Sequence, residues 1–128
     1  MRVALKPSLL LALAALALGA PGLAMSESAQ QNIKSAKAAL ARGDGIAAEA
    51  ELQRAATGGA ARQELAASMG EALIAQGELD KARGWLAPGQ FAKGEEAYGW
   101  RMLALLERLQ GNLPAAGKAL DRGLAAAP

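Results

Sequence analysis

The sequence predicts an all-α chain assembled from helix hairpins, and three observations carry that expectation. Ala, Leu and Gly dominate a chain of 128 residues that is 52% hydrophobic, a composition suited to helices. The pairs Gly43-Asp44, Gly77-Glu78 and Gly111-Asn112 recur 34 residues apart, an internal period that marks a repeated helical unit. Within the period, apolar residues fall on one helical face, as Leu65, Met69 and Leu73 do. The length leaves room for one domain.

The first residues read as a secretory signal. Arg2 and Lys6 supply a positive start, Leu9 to Ala20 is a short apolar run, and Pro21-Gly22 breaks it. Gly22 and Ala24 place small residues where a signal peptidase reads, so cleavage is expected after Ala24. A membrane-crossing helix needs about 20 apolar residues, and this run is shorter. A lipidated N-terminal Cys is excluded, because the chain has no Cys. The expected domains are thus a signal at 1–24 and an exported, periplasmic unit at 25–128 that meets the membrane only through the signal during export. Loss of Arg2 and Lys6 reduces 14 Lys+Arg to 12, equal to the 12 Asp+Glu. No basic surplus then remains for nucleic acid.

Helices are expected at about 28–41, 45–57, 61–76, 79–87, 94–110 and 113–126, two to each period. Five residues beyond each turn glycine stands Ala48, Ala82 or Ala116, and nine beyond stands Leu52, Leu86 or Leu120. Upstream of the turns, Met69-Gly70 matches Leu103-Ala104 and, more weakly, Ser35-Ala36. Gly77 suits a helix C-terminus, and Glu78 or Asp80 can start the next helix. Pro114 sits in the first turn of the last helix, where its missing N–H costs nothing.

This pattern resembles the tetratricopeptide repeat (TPR) family, with copies at 29–62, 63–96 and 97–128. The third copy carries the resemblance best. Trp100 falls on the family's first-helix Trp, Leu103-Ala104 on its Leu-Gly, Ala116 on its small residue and Pro128 on its closing Pro. The second copy keeps Met69-Gly70 and Ala82; the first lacks the Trp and the large apolar residues near Ser35. The resemblance implies a right-handed α-solenoid of three hairpins following the signal peptide. It also implies a scaffold that binds a protein or peptide in a concave groove lined by the first helices. The groove positions so implied are Ile33, Lys37 and Leu40, then Glu64, Glu71 and Ile74, then Tyr98, Arg101 and Arg108. The family's carboxylate-clamp pattern is absent: Ile33 and Lys37 replace its Lys–Asn pair, Ser68 its next Asn, and Tyr98 and Met102 its Lys and Arg. Binding of a C-terminal tail is therefore not carried over. A mixed-charge groove suits an extended peptide or another helical protein.

All four aromatic residues, Trp85, Phe91, Tyr98 and Trp100, lie within residues 85–100. Pro88-Gly89 shortens the second helix of the middle unit, and large rings can fill the lost area. Trp85, Phe91 and Trp100 are expected to pack that junction, with a truncation cost of about 3–5 kcal/mol for a buried Trp. Tyr98 is the exception, since the resemblance turns it to the groove.

The chain has no Cys and no His, which removes thiolate and imidazole metal sites, Cys nucleophiles and His-based triads. No cofactor, metal or catalytic constellation is expected, and the chain is read as no enzyme. Gly111-x5-Gly117-Lys118-Ala119 is one residue too long for a phosphate-binding loop and lacks its Ser or Thr. Glu95 and Glu96 are helix neighbours pointing apart, better read as solvated charges at a helix start than as a catalytic pair. Ser68 and Lys81 have no base at a nucleophile's spacing. Two other functions stay open: a structural spacer or subunit of an envelope assembly for secretion or polysaccharide export, and, from another class, an accessory domain of an enzyme.

Leu113, Leu120 and Leu124 in the last helix are expected to leave an apolar side facing water. This predicts that the array continues in a longer chain, or that its end is covered by a partner or by a second copy through self-association.

Overall fold

The computed structural model describes residues 25–127, and there the chain is all-α. The expected signal segment and Pro128 lie outside the described residues. The helices are α1 (Glu27–Ala41), α2 (Gly45–Thr57), α3 (Arg62–Ala75), α4 (Leu79–Leu86), α5 (Glu96–Leu109) and α6 (Leu113–Ala126). Each end lies within two residues of its expected position.

The turns between paired helices repeat atom for atom. Gly43, Gly77 and Gly111 have φ of 76°, 76° and 80°, a left-handed conformation that costs a residue with a Cβ. In the first turn, Gly43 N–H donates to the Leu40 carbonyl and Asp44 N–H to the Ala39 carbonyl, both at 2.9 Å. Gly77 and Glu78 make the same two bonds to Ile74 and Leu73, and Gly111 and Asn112 to Arg108 and Glu107. Carbonyls left over at the helix end are thereby satisfied. The starts of the second helices differ more. Asp44 and Asn112 accept N–H bonds from Ala47 (3.0 Å) and Ala115 (3.4 Å), whereas the longer Glu78 side chain makes no cap.

Consecutive helices pack in order, and the first helices also meet, α1 with α3 and α3 with α5. Among the described residues the second helices do not touch one another. The core sits between the rows. Ala36, Ala48, Ala55, Ala72 and Ala82 are buried without residual exposure, and their small side chains let the backbones approach. Leu52 and Leu86 are 0% exposed at equivalent positions, each contributing about 1.5–3 kcal/mol by burial. Leu120, the third in the series, is 50% exposed.

Polar clasps bridge the hairpins with the same period. Gln76 Nε2 donates to Glu49 Oε1 at 2.9 Å and to the Gly45 carbonyl at 3.3 Å. Thirty-four residues on, Arg83 stands at the Glu49 position and Gln110 at the Gln76 position. Arg83 Nε donates to Gln110 Oε1 at 3.2 Å, and its Nη1 pairs with the buried Glu107 at 2.6 Å.

The aromatic stretch divides where a single packed junction was expected. Phe91 and Trp100 meet edge to face, with centroids 5.5 Å apart and planes at 81°. Gly99 lies under the Phe91 ring, and a Cβ built there would come 2.3 Å from Phe91 Cδ1. Trp85 instead carries the Arg62 guanidinium 3.7 Å from its ring centroid. Both Trp residues are half-buried, not enclosed. Each ring keeps one side for a cation, Arg122 lying 4.9 Å from the Trp100 ring centroid.

Candidate functional site

The row of first helices brings five of the nine implied groove residues to one place. Lys37 and Leu40 of α1, Glu71 of α3, and Tyr98 and Arg101 of α5 line an open cleft of about 320 Å³ together with Ala41. The other four do not share it. Ile33 and Ile74 are half-buried and pack against the core, so they hold the helices together. Glu64 is used at the start of α3, where its carboxylate accepts the Ala61 N–H. Arg108 lines a second cavity with Arg101.

Tyr98 is the centre of the cleft. Its hydroxyl donates to Glu71 Oε1, tying α5 to α3. Burial first, then the bond to Glu71, push its pKa above the ordinary tyrosine value. Ser68 is buried, and its Oγ has no hydrogen-bond partner among the described residues. The Arg101 guanidinium lies 5.6 Å from the Tyr98 ring centroid.

Lys37 Nζ pairs with Glu95 Oε1 at 3.3 Å, which joins α1 to the start of α5 across α3. Glu95 was expected to be a solvated helix-start charge; it does stand at the start of α5, but half-buried and paired with the cleft residue Lys37. Its neighbour Glu96 accepts the Gly94 N–H at 2.7 Å. No spacing in the sequence could have joined Lys37 to Glu95, because the pair crosses 58 residues and obeys no repeat.

Among the described residues, Glu71 in the cleft and Glu95 beyond it are therefore both engaged, and Arg101 meets no carboxylate within ion-pair distance. The cleft offers a donor-rich cation, an aromatic face and the apolar Leu40. Those are the parts of a binding surface. A phenol held in its neutral form is a weak base, and no group of three metal-ligating residues occurs among the described residues.

The second cavity, about 240 Å³, lies between α5 and α6 and is lined by Arg101, Met102, Leu105, Arg108 and Leu120 among others. It opens beside the expected end surface, where Leu113 is 64% and Leu124 is 75% exposed. Met102 was named from the sequence only as a departure from the clamp pattern and Leu105 not at all, although their helical spacing from Tyr98 and Arg101 places them on one face. No described helix is long and apolar enough to cross a membrane. In comparisons with known proteins, the chain matches no family model, no curated protein and no solved structure.

Proposed function

We propose that the chain is an exported right-handed α-solenoid of TPR type that binds a protein or peptide partner along its first helices. One observation carries this: the cleft shared by α1, α3 and α5 presents Arg101 without a carboxylate beside Tyr98 and Leu40. Contact between successive first helices, with none between second helices, supports a concave first-helix side. In this role the chain is a binding module that does no chemistry of its own, and it takes no cofactor.

The test is affinity capture from an envelope extract with the chain as bait, compared with Lys37→Ala, Glu71→Ala, Tyr98→Ala and Arg101→Ala. Loss of a specific partner in these variants is expected. Capture unchanged in all four would remove the cleft from the account. It would favour the spacer or assembly-subunit role, for which the exposed Leu113, Leu120 and Leu124 speak. Export has its own check: mass spectrometry of the protein from expressing cells is expected to show an N-terminus at Met25. Retention of Arg2 in the purified protein overturns the signal assignment.

A further inference from the structure

The groove between α5 and α6 is open where its counterparts are filled. Ala116 and Leu120 correspond, at 34-residue steps, to Ala82 and Leu86 and then to Ala48 and Leu52. The two earlier hairpins each have a following first helix packed on them, α3 against α2 and α5 against α4. Leu52 and Leu86 are accordingly fully buried. No described helix packs beyond α6, and half of Leu120 is exposed above a cavity of about 240 Å³. Within this chain, the same groove takes an α-helix twice.

The open copy differs from the filled ones in charge. Arg101 corresponds to Ala67 and Ile33, and Arg108 to Ile74 and Leu40. Arginine thus borders this groove only where nothing fills it. Neither guanidinium meets a carboxylate within ion-pair distance among the described residues. The two stand seven residues apart, about 10.5 Å along one face of α5. Between them, Met102, Leu105 and Leu120 give the cavity its apolar lining.

We propose that this groove docks an amphipathic helix of a partner protein, one whose apolar stripe is flanked by acidic side chains about two turns apart. A second copy of this chain fits poorly in either arrangement. Stacked end to end, it would offer α1, which carries Gln31, Lys34 and Arg42 where α3 has Leu65, Ser68 and Gln76. Placed face to face, the exposed Arg101 and Arg108 that border the groove would meet their own kind. Like charges brought together oppose association, and charge matching selects the partner.

A synthetic Ala-based peptide of about 16 residues is long enough for the test. It carries Leu at i, i+3 and i+7 with Glu on both flanks, and its control has every Glu replaced by Lys. Fluorescence anisotropy with the full-length chain is expected to show binding of the Glu peptide, weakened at least tenfold by Leu120→Lys or by Arg101→Glu with Arg108→Glu, that is by about 1.4 kcal/mol or more. The doubly reversed variant is expected to bind the Lys peptide instead, which a merely unfolded variant cannot do. Binding of neither peptide, or of both equally, overturns the proposal. So does a dimer in sedimentation that Leu120→Lys abolishes, because the occupant is then a second copy. The inference goes beyond the cleft between α1, α3 and α5, with which the groove shares Arg101: Lys37 lines the cleft and not the groove, so Lys37→Ala should leave the peptide's affinity within about twofold. Failure at one site therefore leaves the other standing.

Discussion

Tyr98 is held by two effects that act in the same direction. Ionising its phenol would place a charge in a half-buried site, and the proton it would lose is the one donated to Glu71. An acid whose pKa rises on folding stays neutral in the folded chain while the unfolded chain ionises. Its contribution to stability is therefore complete below the unfolded value of about 10 and declines as the pH rises past it. Since Tyr98 is the chain's one tyrosine, phenolate absorbance reports it alone. The midpoint in folded protein should lie above that of the denatured chain, and Glu71→Gln should move it part of the way back. A folded midpoint at the ordinary value would show that the phenol is free in water. The two tryptophans carry a different expectation. Because each keeps a side for an arginine and neither is enclosed, Trp85→Ala and Trp100→Ala should each cost about 2–3 kcal/mol, below the value for a fully buried ring. Denaturant unfolding measures both, and a loss under 1 kcal/mol at both would make them surface residues.

The helices themselves were legible in the sequence because the information was local. A left-handed turn needs glycine, and Gly43, Gly77 and Gly111 announced three of them at one spacing. The start of α4 fell where expected, with Glu78 at the cap position and Asp80 in the first turn, but Glu78 has one methylene more than Asp44 and its carboxylate makes no cap bond there. The cleft was half legible. The family resemblance implied Lys37, Leu40, Glu71, Tyr98 and Arg101 as groove positions, and they do line one cleft, whereas the pairing of Lys37 with Glu95 is a contact that no period encodes. Trp85 parted from the other rings because Arg62, close in space but 23 positions away, competes for its face. Two glycines inside helices show how packing decides what propensity cannot. A Cβ at Gly99 would press into the Phe91 ring, while at Gly84 in α4 it would meet nothing within 4 Å. Gly99→Ala is expected to destabilise by about 1–3 kcal/mol through overpacking, and Gly84→Ala to stabilise by about 0.5–1 kcal/mol through the lost freedom of glycine. Equal and small changes in melting temperature would mean that the ring has room to move aside.

For the whole molecule, among the described residues, the repeat-equivalent leucines are graded along the chain: Leu52 and Leu86 are enclosed, and the third hairpin turns Leu113, Leu120 and Leu124 outward. The long-range tie that runs against this order is the pair between Lys37 and Glu95, which links the first hairpin to the entry of the third. Half-exposed ion pairs of this kind are worth about 0–1 kcal/mol and weaken within a Debye length of about 10 Å at 0.1 M salt. This pair is a weak catch laid across the row of first helices. If that row can flex as a spring does, releasing the catch is expected to change the curvature of the row without unfolding a helix. Small-angle X-ray scattering should therefore record a larger radius of gyration for Lys37→Ala than for the parent chain at low salt, with the difference vanishing as salt is raised while helix content stays constant. An equal radius at low salt would mean that the curve is set by Ala-to-Ala packing alone. If the catch does hold, a ligand whose acid draws Lys37 away from Glu95 straightens the rod as it binds, and occupancy of the cleft becomes readable as a change in length.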